Sequence, residues 1–106
     1  MKSCMNEYEW AKIGSKMLLY VHEMGLPQNM KGSKAFFCIA CVAVKRVSEG
    51  PLSWAMLAHE YGEYNGTTQM ATWEAMRRAL RKAGWPGTVG EALAAAALEV
   101  ANDGKN

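Results

Sequence analysis

The chain has 106 residues, room for one domain, and half of them are apolar, enough for a real core. Charged residues make up 21%, close to the globular average, which argues against wholesale disorder. Twelve basic residues against 10 acidic ones leave a net charge of +2, so any nucleic-acid contact must come from a local basic patch. Asp occurs once, as Asp103, which excludes a calcium loop, an Asp-based triad and an aspartyl phosphoacceptor. No apolar run reaches the ~18 residues of a membrane span, and the N-terminus lacks a signal-peptide stretch. Three cysteines do not make a disulfide framework, so a reducing, cytoplasmic setting is expected.

Five helical segments are expected in chain order, and no alternating β-branched run suggests a sheet. The first covers about 7–24, where Trp10, Ile13, Met17, Val21 and Met24 form one stripe. Gly25, followed by Leu26-Pro27, should stop it. The second covers about 33–47 and is apolar nearly all round through Phe36, Phe37, Ile39, Ala40, Val42, Ala43, Val44 and Val47. Such a helix belongs at the centre of a fold. Glu49-Gly50-Pro51 ends it, with Pro51 suited to the first turn of the third segment, about 52–63. The apolar set there is Leu52, Trp54, Ala55, Leu57, Ala58 and Tyr61.

Asn65-Gly66 signals a turn, and Thr67 or Thr68 can cap a fourth segment, about 68–83. Its expected core face is Ala71, Ala75, Met76, Ala79, Leu80 and Ala83. Gly84-Trp85-Pro86-Gly87 breaks it. Thr88 with Glu91 forms a capping box for an Ala-rich fifth segment to Ala101. The ordered core is expected over about 7–102, with a tail at 103–106 that frays.

Segments three and four read as a helix-turn-helix. The outward stripe of segment four is Met70, Trp73, Glu74, Arg77 and Arg81, flanked by Arg78 and Lys82. Four of the chain's basic residues thus fall within six positions. Arginines there can reach phosphate or guanine in a major groove, and Gln69 at the helix start can read adenine or hold phosphate. Basic residues in a last turn also simply offset the helix dipole, so charge pattern alone leaves both readings open.

The residues then point to a family. His22-Glu23-Met24-Gly25-Leu26-Pro27, followed by Met30-Lys31-Gly32, resembles a His-Glu-Ile-Gly-Val-Pro…Ile-Lys-Gly signature. That signature marks the C-terminal DNA-binding effector domains of the bacterial sporulation master regulator, stage zero sporulation protein A. The likeness continues from Leu57 through Thr67-Thr68 to Ala75-Met76-Arg77-Arg78-Ala79-Leu80, where the family reads Ala-Ile-Arg-His-Ala-Ile. It covers about 22–83 without a gap.

An all-α bundle of five to six helices is expected, five from the spacing and about six from the resemblance, which also implies a helix-turn-helix that places its second helix in the major groove of double-stranded DNA. The resemblance implies head-to-tail pairs of domains that meet through the last helix, here segment five. DNA contact would fall to Thr67, Thr68, Gln69, Met70, Trp73, Arg77, Arg78, Arg81 and Lys82, with Lys31 as a further phosphate candidate. No cofactor or metal is implied.

This chain also departs from the family. Ala71 and Glu74 stand where the family carries arginines, Trp73 stands for a glutamate, Arg78 for a histidine, and His59 for a proline. These changes should weaken phosphate attraction and alter base preference. The chain has neither length nor aspartates for a receiver domain, so phosphorylation control of that kind is not expected within it. The alternative is a protein-interaction module, an antagonist or partner of a regulator, on the same scaffold.

Other chemistry is weakly signalled. Cys38-Ile39-Ala40-Cys41 lacks the further ligands that zinc needs and lies mid-helix, so buried structural thiols are expected. His22 and His59 lack a nucleophile or phosphate loop beside them, and no enzyme is expected. Trp73, drawn outward beside Met70, has three readings: packing under a loop, touching DNA, or anchoring a protein partner.

Overall fold

Helix-start and helix-stop chemistry divides the chain much as its spacing predicts. The computed structural model describes residues 7–47, 50 and 52–103, and among them the protein forms five α-helices and no strand. These are α1 Glu7–Glu23, α2 Lys31–Arg46, α3 Trp54–Asn65, α4 Gln69–Ala83 and α5 Val89–Asp103. The all-α class is as expected, at the lower of the two helix numbers.

Gly25 ends α1 in the left-handed region at φ +86°. The Leu26 N–H donates to the Val21 carbonyl and the Gly25 N–H to that of His22, the paired bonds of a Schellman motif. Leu26 is buried as that motif requires. At the other end of the chain the capping box forms as read. The Thr88 N–H donates to Glu91 Oε1 at 2.9 Å, and the Glu91 N–H donates to Thr88 Oγ1 at 3.1 Å. Thr88→Ala should remove about 1 kcal/mol of stability, seen as a lower urea midpoint with an unchanged slope.

In three helices the boundaries differ from expectation by two residues. Helix α2 starts at Lys31 rather than near 33, because Met30 serves as N-cap without any side-chain bond and so carries no polar signature. Helix α3 runs from Trp54 to Asn65 rather than 52–63. Ser53 caps it, accepting the Met56 N–H at 3.2 Å, and Asn65 Nδ2 donates to the Tyr61 carbonyl at its end. The role read for Pro51 lies outside the described residues. Helix α5 includes Asp103, and the remainder of the tail is likewise outside them.

Helix α2 is the centre, packing against all four others. The largest fully buried side chains are Met17, Phe36, Met76 and Leu93, one each from α1, α2, α4 and α5. Helix α3 adds Leu57 and Ala58. Burying one such large side chain stabilises by about 1.5–3 kcal/mol. Trp10 and Val47, both read as core, are instead more than one-third exposed at the ends of their stripes.

Candidate nucleic-acid interface

Helices α3 and α4 are joined by only three residues, Gly66, Thr67 and Thr68. Gly66 takes the left-handed conformation at φ +71°, which a side chain would resist. Of the two threonines, Thr68 is the cap. Its Oγ1 accepts the Ala71 N–H at 3.0 Å. Thr67 lies in the turn and its N–H donates to the Gly62 carbonyl at 2.9 Å. Gln69 and Met70 open α4 on the surface, with Met70 76% exposed.

The inward face of α4 is Thr72, Met76, Ala79 and Leu80. Thr72 corrects the expected core face, for it is buried while Ala71 is exposed. Burial is tolerable because the Thr72 hydroxyl donates to the Thr68 carbonyl at 2.8 Å, leaving only its methyl for the core. Arg77, Arg78, Arg81 and Lys82 are all exposed.

Trp73 does not stand outward as its helical position suggested. It is half-buried against the core and lines a cleft of about 410 Å³ with Trp85, Arg77, Arg81 and Thr88. The loop between α4 and α5 lines the same cleft, and Trp85 Nε1 donates to the Thr88 carbonyl there. The ring therefore packs against the core and leaves one side open to the cleft.

The one acidic residue of α4 is engaged. Glu74 Oε2 accepts from Arg77 Nη1 at 2.7 Å, with both side chains about half exposed. Among the described residues no ion pair involves Arg78, Arg81 or Lys82. Arg81 and Lys82 also lie in the last turn, where they offset the helix dipole. Lys31 is exposed at the first position of α2. A close approach of Gly32 to the Ala75 backbone brings this end of α2 alongside the middle of α4.

Helix α5 buries Val89, Ala92, Leu93, Ala96, Ala97 and Val100 in the core. Its outward side presents Glu91, Leu98 and Glu99 as the surface for any pairing. The two thiols of the CxxC part company: Cys41 is buried, but Cys38 is exposed, correcting the expectation for the pair. Burial pushes the Cys41 thiol up to about 12, helped by the neighbouring Cys38. Cys38 is raised too, by its own desolvation, against an opposing pull from Lys34. His59 is exposed and pairs with Glu63 at 3.4 Å, and His22 is exposed at the end of α1.

Among the described residues no group of three or more His, Cys, Asp or Glu is gathered for a metal, and no helix is long and apolar enough to cross a membrane. Sequence reading missed Ser53 as a cap and the Glu74–Arg77 bond, though the i, i+3 spacing of that pair was a usable signal. No family model, curated protein or solved structure matches the chain.

Proposed function

We propose that the protein is a DNA-binding transcription regulator of the sporulation-regulator effector type, acting in the cytoplasm through a helix-turn-helix made of α3 and α4. The observation that supports this reading best is the outer face of α4. It carries four basic side chains, all exposed, against one glutamate, on a helix whose start is held by the Thr68 cap.

In this reading α4 enters the major groove. Thr67, Thr68 and Gln69 anchor the helix start, where backbone N–H groups favour phosphate. Met70 and the edge of Trp73 give apolar contact, as with thymine methyls. Arg77 reads a base edge, while Arg78, Arg81, Lys82 and Lys31 hold phosphates. Two copies on repeated sites would meet through the outward side of α5.

Glu74 is the brake in this scheme, because it both holds Arg77 and repels phosphate. Glu74→Gln should tighten binding to any duplex by about two- to five-fold. Lys82→Ala should weaken binding to all sequences alike and flatten the salt dependence by about one unit of slope. A fluorescence titration of both variants checks this, and no change in either would overturn the assigned face.

A second reading, a protein-interaction module on the same scaffold, is favoured by one feature. The first turn of α4 exposes Met70 and Ala71 beside an Arg77 already paired to Glu74, an apolar and neutral start for a reading helix. Salt separates the two, since a protein contact centred on this patch would not weaken steeply with ionic strength.

A further inference from the structure

The cleft between α4 and the start of α5, about 410 Å³, is of the size of small-molecule sites. One wall is a single stripe of α4, in which Trp73, Arg77, Leu80 and Arg81 occupy positions i, i+4, i+7 and i+8. The other wall brings Trp85 from the loop and Val89 from the start of α5. Leu80 and Val89 are buried and give the cleft its aliphatic part.

Both indoles are only part-buried, so each keeps ring surface for a ligand. The bond from Trp85 Nε1 to the Thr88 carbonyl, 3.2 Å long, holds that ring in place before anything binds. Among the described residues no carboxylate lines the cleft. Arg81 is exposed and takes part in no ion pair among them, while Arg77 shares one with Glu74, which lies outside the lining. Glu91, just beyond Thr88, accepts the Thr88 N–H and is likewise not part of the wall. The cleft therefore offers aromatic surface from two separate elements and two guanidinium groups from one.

We infer that this cleft binds one nucleotide unit, its base against the indoles of Trp73 and Trp85 and its phosphate on Arg81 and Arg77. The two arginines lie one helical turn apart, near enough to share one phosphate, and the planar fork of each suits phosphate oxygens. Trp73 lies one turn before Arg77 and two before Arg81, so the aromatic and cationic ends are about 5–11 Å apart along α4. A nucleoside spans such a distance from base to phosphate. A plain anion would leave the indoles uncovered, and an uncharged aromatic would leave the arginines without a partner, so the ligand carries both groups. Every base has a face to lay on an indole, so the site takes the class and not one base. A free nucleotide and the end of a single strand share this chemistry. The inference goes beyond the duplex reading and does not rest on it.

Isothermal titration with adenosine 5′-monophosphate, adenosine and ribose 5-phosphate tests both halves of the ligand. One monophosphate per protein is expected, bound at least about ten-fold tighter than either fragment. Arg81→Gln should weaken the monophosphate at least about five-fold and leave adenosine unchanged. Intermolecular NMR contacts from the adenine protons to the rings of Trp73 and Trp85 should place the base without any substitution. A 5′-phosphorylated deoxyadenosine tetramer separates the two sources: tighter binding than the monophosphate assigns the cleft to a strand end, and weaker binding assigns it to a free nucleotide. Adenosine or phenyl phosphate binding as tightly as the monophosphate, indifference to Arg81→Gln, several weak sites per chain, or contacts elsewhere would each overturn the proposal. No duplex is present in these measurements, so their failure is distinct from failure of the DNA reading.

Discussion

Gly32→Ala is expected to cost about 3 kcal/mol or more and to lower the thermal midpoint by more than about 10 °C. A Cβ built on Gly32 would lie 1.8 Å from the Ala75 carbonyl oxygen and 2.3 Å from its carbon. Both are backbone atoms in the middle of α4, so no side-chain rotation can relieve the overlap. Helix α2 would have to back away from α4, and with it Phe36 from the buried core. Against the ~5–15 kcal/mol total of a small domain, such a loss leaves little margin. Gly14→Ala is the matched control. Its Cβ would meet only the Phe37 ring edge at 3.9 Å, an ordinary contact, inside helix α1. That change should be neutral or stabilise by up to about 1 kcal/mol, since Ala is the better helix residue. Thermal and urea unfolding of the two variants side by side measures the difference, and a harmless Gly32→Ala would mean that the two helices are not in contact there.

The second large effect concerns binding rather than folding. Arg77→Ala combined with Arg81→Ala should reduce affinity for a preferred duplex by about 100- to 1,000-fold, from ~1–3 kcal/mol for a base-reading arginine plus a lost phosphate contact. Loss of Arg77 also leaves Glu74 without that partner on the face proposed to meet phosphate, which should deepen the effect. Preference for one sequence over another should shrink together with affinity. Stability should change by no more than about 0.5 kcal/mol, because both side chains are exposed. Circular dichroism and unfolding of the double variant, run beside the titration, separate lost binding from lost structure.

What was legible in the sequence follows from local chemistry. The Gly25 stop, the Asn65-Gly66 turn, the Thr88–Glu91 box and the central place of α2 all depend on neighbours within a few residues or on one helix's own apolar coverage. What was not legible depends on other segments. Trp73 looks outward on a helical wheel because the wheel carries no knowledge of the core that the other helices bring against the ring. Thr72 took the core position read for Ala71 because a hydroxyl bonded to the preceding turn is no longer polar to its surroundings. Cys38 and Cys41 are both expected to be buried, yet three residues fall about 60° short of a full circle, enough to place one thiol inside and one at the rim.

Within the candidate interface the exposure of Arg77, Arg78, Arg81 and Lys82 follows from the same spacing that buries Met76, Ala79 and Leu80. The pairing of Arg77 with Glu74, and the approach of the start of α2 to α4, were not evident from composition. The Met30-Lys31-Gly32 run thereby gains a physical reason for its glycine: it is where two helix backbones come too close for any side chain.

The most direct measurement is a fluorescence titration of the protein against a random duplex and one of the sporulation-regulator type at two salt concentrations. The predicted result is a clear preference for one duplex, with affinity falling about 50- to 150-fold between ~50 and ~200 mM salt, as three or four phosphate contacts require. No binding at the lower salt, or binding that salt leaves unchanged, would contradict DNA readout by α4 and turn the assignment to a protein partner.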